Sequence, residues 1–179
     1  MANKRLFFAC IAVAFAKLGT SVFTKAQGLQ SITMGLNFNL DYIFEIGQIN
    51  VYQTIEGIPD VEIQMTKVLD GNPPLYLLGS NGATSATLNG RSSIGTIIGL
   101  ALYSDQQHSA SGSPLKELQC SGALHTNFGY ALTVDGPFTE SITFLAQNKV
   151  WNTGVTILTN LFDNTDQPLN IATSGGVQR

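Results

Sequence analysis

The feature that most constrains the fold is a strict two-residue alternation over residues 30–40. Five apolar side chains alternate there with polar or small ones: Ile32, Met34, Leu36, Phe38 and Leu40. Successive side chains of a β-strand point to opposite faces, whereas a helix would scatter these five around its axis. The alternation therefore predicts one strand with a buried face and a polar face. At about 3.3 Å per residue it would span roughly 33 Å, which is long for a globular strand.

A second alternating stretch at residues 61–68 predicts the returning strand of a long hairpin, about residues 30–68. Strands of this length with one apolar face must bury that face against something. A single chain of 179 residues supplies few further elements for that purpose. We therefore expect identical neighbouring copies to cover part of the hairpin.

The rest of the chain predicts further strands separated by turns rich in Gly, Pro, Asn and Asp. Strands are expected at residues 6–16, 47–54, 93–104, 118–126, 130–134 and 139–146, with Asn148-Lys149 as a turn and a short helix at residues 74–78. The predicted fold class is all-β, a mainly antiparallel β-sandwich or barrel with a long β-hairpin and one short helix. We expect a single domain over residues 1–163 and a C-terminal arm over residues 164–179.

Charged residues are scarce, at 12% of the chain, with a formal net charge of −3. Sparse charge has two common causes: secretion, or a surface covered by other subunits. The net charge argues against a dedicated nucleic-acid binder, because phosphate binding needs clustered Lys and Arg. Residues 1–30 carry only basic charges and residues 41–70 mainly acidic ones, which is compatible with head-to-tail contact between copies. Ordinary solvated loops would give the same distribution.

The start of the chain permits two interpretations. Lys4 and Arg5 precede an apolar run at residues 6–16, as in a secretory signal. However, Lys17 follows the run directly, and the run is shorter than the roughly 20 residues needed to span a membrane. We interpret it as a strand buried on both sides, with large residues on one face and small ones on the other. A cleaved signal remains the alternative.

No catalytic, cofactor or metal motif is found in the sequence. His108 lies in a Ser-rich loop and His125 among small residues, so neither has the neighbours of a triad. Cys10 and Cys120 match no metal-ligand spacing and are expected to be buried free thiols, with a disulfide as the alternative. Nucleophile elbows, phosphate loops and zinc-binding helices are missing too. We therefore expect a protein that is not an enzyme and needs no cofactor.

Several strand-and-turn phrases carry a family resemblance. They are Gly28–Ser31, Phe38–Leu40, Ile43–Gln48, Ile58–Glu62, Lys67–Gly71, Val134–Ser141 and Asn148–Trp151. Over about residues 6–152 the chain resembles virion structural proteins of tailed bacteriophages, and most of all tail tube proteins. The resemblance implies a β-sandwich with a flanking helix. It also implies six-membered rings that share a barrel around a lumen and stack into a tube.

The same resemblance implies what the protein contacts. Its main partner would be itself, with sheath, tape-measure, terminator and baseplate proteins around it in the virion tail, after assembly in the host cytoplasm. DNA would pass through the lumen without specific binding, and no membrane is involved. Acidic side chains would keep DNA from adhering, and the candidates for that lining are Glu45, Glu56 and Glu62. Candidates for ring-to-ring contacts are Lys4, Arg5, Asn81, Arg91 and Arg179.

Two other functions fit the same residues. A capsid-decorating or tail-terminator protein would share the β composition without polymerising indefinitely. A secreted β-sandwich binding module would account for the signal-like start.

Overall fold

The computed structural model describes residues 11–80, 93–103, 114–152 and Leu158. This part of the chain forms ten strands and one short helix, and every strand pairing is antiparallel. In chain order they are β1 (Ile11–Lys17), β2 (Thr24–Lys25), β3 (Leu29–Asn37), β4 (Leu40–Phe44), β5 (Val51–Glu56), β6 (Asp60–Val68), α1 (Leu75–Gly79), β7 (Thr96–Leu102), β8 (Lys116–Ala131), β9 (Thr139–Ala146) and β10 (Asn148–Asn152). The predicted all-β class with one short helix is confirmed.

Eight strands form one sheet in the order β2-β1-β7-β8-β9-β6-β3, with β10 also beside β8. The long strand β8 belongs to both halves: residues 116–123 pair with β7 and residues 124–131 pair with β9. Gly122 stands between these parts with φ +65°, a conformation that side chains rarely adopt. A Cβ there would also lie 2.9 Å from the Gln147 side chain. We call β2, β1, β7, residues 116–123 of β8 and β10 the first half-sheet, and residues 124–131 of β8 with β9, β6 and β3 the second.

The two half-sheets enclose the main core. Phe15 of β1 packs against Phe144 of β9, with ring centroids 5.7 Å apart. Because these strands belong to different halves, the contact shows that the inner faces meet. The buried members from both halves include Val13, Phe15, Val61, Ile63, Met65, Ile98, Leu118, Cys120, Ile142 and Phe144. Cys120 is a free buried thiol, as predicted.

The outer face of β1 is buried as well. Ala12 and Ala14 pack there with Ala101, Tyr103 and Leu158 in a second, smaller cluster. Tyr103 donates its hydroxyl to the backbone carbonyl of Leu158 at 2.7 Å. Burial on both sides of this strand is thus confirmed from residue 11 onward. Residues 6–10 of the predicted strand lie outside the described part of the chain.

The short helix begins one residue later than predicted, with Pro74 as its N-cap. Its first two backbone N–H groups, those of Leu75 and Tyr76, donate to the Glu140 carboxylate at 2.6 and 3.0 Å. Leu75 and Leu78 enter the main core. Within the described residues no helix is long and apolar enough to cross a membrane.

The bounds predicted for the strand at residues 47–54 are wrong. The predicted strand at residues 47–54 is displaced to β5, because Gly47 has φ +92° and the preceding residues form the turn. Its partner is β4, whereas β6 pairs with β3. The hairpin over residues 29–68 is therefore two successive hairpin segments joined at one break.

The prediction of separate strands at residues 118–126 and 130–134 is also wrong. One strand, β8, runs through residues 127–129, and a register shift between His125 and Asn127 accommodates them. Asn148-Lys149 was predicted to form a turn, but both residues lie in β10. β9 and β10 run in the same direction along β8, so the chain does not reverse between them; it only bends at Gln147, whose N–H donates to Ser121 O at 3.2 Å.

Candidate functional site: a projecting hairpin and two open sheet edges

The hairpin formed by β4 and β5 projects from the sheet and is exposed on both faces. We call residues 38–58 the distal hairpin. Every residue in it is exposed, including all of its large apolar side chains. At its tip Ile46 is 103% exposed and Ile49 98%. The other exposed large apolar residues are Phe38, Leu40, Tyr42, Ile43, Phe44, Val51, Tyr52, Ile55 and Ile58.

A contiguous apolar surface of this kind marks a contact site, since soluble monomers rarely expose one. A two-stranded hairpin is also only marginally stable in water on its own. The distal hairpin carries Asp41, Glu45 and Glu56 and no basic residue. Its surface is therefore both apolar and acidic.

Asn39 breaks the strand at the base of the distal hairpin. It has φ +47°, so β3 ends at Asn37 and β4 begins at Leu40. The predicted uninterrupted strand over residues 30–40 is wrong at this point, because a single left-handed residue interrupts an alternation that otherwise continues. Asn tolerates this conformation better than most residues.

The break is fastened by hydrogen bonds across the hairpin. The Asn39 side-chain amide donates to Ile58 O at 2.8 Å and to Asp60 Oδ2 at 2.9 Å, and Gly57 N–H donates to Asn39 O at 3.0 Å. Any Cβ at position 57 would meet Asn39 O at 2.8 Å. The close approach of the two strands at the base therefore depends on Gly57 and Asn39. The sequence alternation gave no indication of this function for Asn39.

The second half-sheet has an open edge on each side. β3 is its terminal strand, and residues 124–131 of β8 pair only with β9 among the described strands. Unpaired N–H and C=O groups at such edges are templates for pairing with another chain. On the inner face, Ile32 and Met34 of β3 are half-buried against the core and Leu36 is 42% exposed.

The opposite edge carries a row of aromatic rings. Phe128 lies 5.0 Å from Tyr76 and 6.1 Å from Tyr130, and Tyr130 lies 5.9 Å from Phe138, measured between centroids. Phe128, Tyr130 and Phe138 remain exposed to solvent. Both edges of the second half-sheet thus carry incompletely covered apolar side chains.

The outer face of the second half-sheet is polar. It presents Ser31, Thr33, Glu62, Gln64, Thr66, Asn127, Ser141 and Thr143, because these alternate with the core-facing residues of their strands. Gln64 donates its side-chain amide to Glu62 at 2.8 Å. Asp60 and Glu62, which share this face of β6, are its charged residues, and Leu145 opposite Glu62 adds an exposed apolar side chain.

The structure places the predicted lumen residues in two different regions. Glu62 lies on the polar face of the second half-sheet, whereas Glu56 ends β5 and Glu45 precedes the tip of the distal hairpin. All three are exposed. The predicted ring-to-ring contacts Lys4, Arg5, Asn81, Arg91 and Arg179 lie outside the described residues, so their function stays a prediction.

Two buried charges connect the open edge to α1. Lys67 and Glu140 are both fully buried and stand opposite each other on β6 and β9. Lys67 donates to Pro73 O at 2.8 Å, while Glu140 accepts from the α1 backbone and from the Tyr130 hydroxyl at 3.3 Å. Burial lowers the pKa of Lys67, and the carboxylates of Asp70 and Glu140 offset part of that effect. Burial and then the charge of Glu140 raise the pKa of Tyr130.

The described residues contain no cluster of three or more potential metal ligands. Burial raises the pKa of the Cys120 thiol to about 11, with Lys149 opposing this effect, so the thiol is protonated at neutral pH. His125 is buried and packs edge-on against Tyr76, 5.7 Å between centroids. The surfaces that the fold does offer are suited to contacts with other proteins.

Solved structures share this fold, although no family model and no curated protein matches the sequence. The chain is similar to the SPP1 tail tube (TM-score 0.61, 9% identity, covering 86% of this chain and 83% of that one). It is equally similar to the PVC sheath/tube terminator of an extracellular contractile injection system (TM-score 0.61, 12% identity, covering 86% and 100%). It is also similar to the tail of an empty GTA particle solved with C6 symmetry (TM-score 0.53, 9% identity, covering 84% and 100%).

Sequence identities of 9–12% support a shared fold only. The fold is that of tube proteins from phage tails and contractile injection systems, and the resemblance found in the sequence is confirmed at this level.

Proposed function

We propose that this chain is a structural subunit of a bacteriophage tail tube, whose copies close into rings that stack around a DNA-conducting lumen. The observation that carries the proposal is the second half-sheet, which has two open edges and one polar face. The similarity to the SPP1 tail tube supports it. Sheath, tape-measure, terminator and baseplate proteins are the further partners implied for a virion tail.

The strand directions permit the proposed ring closure. β3 and residues 124–131 of β8 run in opposite directions, because three antiparallel pairings separate them. β3 of one copy can therefore pair antiparallel with β8 of the next copy and continue the same sheet. Such pairing removes both open edges, which is how proteins avoid uncontrolled edge-to-edge aggregation.

The side chains at the two edges are complementary. On the inner face, β3 offers Met34 and Leu36, and β8 offers Phe128 and Tyr130. Pairing of the edges would bring these incompletely buried side chains together on the core side. Cross-strand contacts between aromatic and aliphatic residues stabilise sheets by roughly 0.2–1 kcal/mol per pair.

We infer six copies per ring, from the C6 symmetry given for the similar GTA tail. Six copies with four strands each would make a cylinder of 24 strands. At about 4.8 Å between strands its circumference is roughly 115 Å and its backbone diameter about 37 Å. After allowance for side chains, the lumen still admits double-stranded DNA.

The polar face of the second half-sheet would line that lumen, since its apolar face belongs to the core. Small uncharged side chains dominate it, and its charged residues, Asp60 and Glu62, are both acidic. A lining without Lys or Arg offers nothing for phosphates to bind and repels them weakly. Glu45 and Glu56 lie on the distal hairpin, so among the three predicted residues we assign the lining function to Glu62 alone.

Electron microscopy of the purified chain over a range of concentrations tests the proposal. We expect stacked rings with a central channel, in proportions that increase with concentration. The variant Tyr130→Asp places a charge at the seam and should prevent ring closure, whereas Thr143→Asp on the polar face should permit it. A chain that stays monomeric at the highest soluble concentration would contradict the proposal.

A tube terminator is the second candidate, favoured by the similarity to the PVC sheath/tube terminator over the whole of that chain. A terminator would form single rings that do not stack. The same micrographs distinguish the two functions through the number of rings per particle.

A further inference from the structure

We propose that the tip of the distal hairpin docks into an apolar groove at the far end of β8 in a second copy of this chain. This inference rests on the proposed function, because it identifies one contact by which subunits of the tube hold each other. The contact would join two surfaces. One is the projecting apolar tip with an acidic residue beside it, and the other is an apolar groove with a basic residue beside it.

The groove has a volume of about 480 Å³ and is lined by Leu102, Leu115, Lys116 and Trp151. It forms where β7 ends and β8 begins, and Leu115 N–H donates to Leu102 O at 2.7 Å across that end. The position of Trp151 is set by the pairing of β10 with β8, which places Trp151 opposite the core residue Leu118. Leu115 and Trp151 are each 52% exposed, so the groove is apolar and open.

The tip offers a matching projection. Ile46 and Ile49 flank the turn between β4 and β5 and are almost completely exposed. Glu45 directly precedes Ile46. Buried in a groove, two aliphatic side chains would lose their contact with water and favour association.

Charge complementarity selects a second copy as the occupant. Lys116 is the cation of the groove, and the distal hairpin has three acidic residues and no basic one. With Ile46 in the groove, Glu45 can reach Lys116. Opposite charges at the rim of an apolar contact fix its register and accelerate encounter.

The proposed contact is between chains. Ile46 and Ile49 are almost completely exposed, so within the described residues neither occupies the groove of its own chain. The distal hairpin leaves the sheet at β3 and β6, beside Leu36 and Val61, whereas the groove lies at the ends of β7, β8 and β10. Tip and groove are different surfaces, so a copy can bind one neighbour through its tip and another through its groove.

Trp151 reports on the groove directly, because it is the only tryptophan of the chain. We expect its emission to shift to shorter wavelength as wild-type protein assembles. Ile46→Asp should raise the protein concentration needed for assembly about tenfold or more, the factor expected when one buried aliphatic side chain is lost. Val22→Asp is the matched control, since Val22 is 75% exposed but lies in neither tip nor groove; it should behave as wild type.

Covalent capture identifies the partners. In a Cys10→Ala background, one protein carries Ile46→Cys and another carries Leu115→Cys; Cys120 remains because it is buried. Under mild oxidation, a mixture of the two should yield disulfide-linked dimers well above those from either protein alone. The charge swap offers an independent test: Glu45→Lys and Lys116→Glu should each weaken assembly, and a mixture or double variant should recover it.

The outcomes separate the two proposals. If wild-type protein forms no rings or tubes, the proposed function fails. If tubes form while Trp151 emission, the Ile46→Asp variant and the mixed cysteines all remain without effect, the docking contact is wrong and the tube subunit stands. Selective heterodimers together with a rescued charge swap would support both.

Discussion

Asn39 and Asp60 are joined by a 2.9 Å hydrogen bond, which fastens the first strand of the distal hairpin to the start of β6. The same Asn39 amide donates to Ile58 O. One left-handed residue therefore decides where the sheet ends and the projecting hairpin begins. The direction of the exposed apolar surface follows from this local geometry.

Asn39→Ala should loosen the distal hairpin without unfolding the sheet. Alanine loses the two hydrogen bonds that the Asn39 amide donates and the one that its Oδ1 accepts from Asn37, and it is strained at positive φ; together these effects correspond to about 1–2 kcal/mol. Hydrogen exchange should show faster exchange of β4 and β5 amides and unchanged exchange in β9. Asn39→Gly accepts the backbone conformation and should be milder, and Asn50→Ala at the tip serves as control. Equal protection in all four proteins would show that Asn39 does not fasten the base.

Glu140→Gln should destabilise the fold by about 2–4 kcal/mol, measured by chemical denaturation. The change removes a charge that accepts two backbone N–H groups of α1, and it leaves the buried ammonium of Lys67 without its nearest buried counter-charge. The double variant Lys67→Met/Glu140→Gln should recover part of the loss. Glu62→Gln, an exposed change on the neighbouring strand, should stay within about 0.5 kcal/mol of wild type.

Gly79→Ala should destabilise by about 1–3 kcal/mol, because its Cβ would lie 2.6 Å from the ring of the buried Phe144. Gly35→Ala provides the contrast, since its Cβ would meet nothing within 4 Å. Alanine also restricts the unfolded chain more than glycine does, so Gly35→Ala should be neutral or slightly stabilising. Thermal unfolding of both variants checks the pair, and a similar loss in each would contradict the packing explanation.

Alkaline pH should destabilise wild-type protein more than Cys120→Ala. Burial keeps the folded thiol protonated up to about pH 11, whereas the ordinary value is 9.0. The unfolded state therefore gains thiolate first, and the contribution of Cys120 is complete below pH 9 and lost as pH rises through about 11. The lowered pKa of Lys67 acts in the opposite direction but equally in both proteins. Parallel stability curves between pH 8 and 11 would disagree with this assignment.

Local patterns in the sequence were sufficient to predict β9, β6 and α1, because strand alternation and a proline N-cap are short-range signals. The break at Asn39 was not predictable, because the alternation continues through it and only the cross-strand hydrogen bonds reveal it. The single long β8 depends likewise on its pairing with two different strands.

The buried charges did leave a signal in the sequence. Lys67 continues the inward series Val61, Ile63 and Met65, and Glu140 precedes the inward series Ile142 and Phe144. Opposite charges at inward positions of two strands predict a buried pair once those strands are known to be neighbours. Which strands are neighbours is decided by the tertiary structure, and the periodicity of the sequence alone does not predict it.

In the proposed tube, Glu62→Lys should convert a lumen that does not bind DNA into one that retains it. Assembly should be unchanged, because Glu62 is exposed on the polar face and away from both edges of the second half-sheet. Six added lysines per ring would bind phosphates and release counterions, so retention should weaken steeply with salt. Co-assembly with short duplexes followed by nuclease digestion measures the protected DNA. Glu56→Lys makes the same charge change on the distal hairpin, and equal protection in both variants would place the binding outside the lumen.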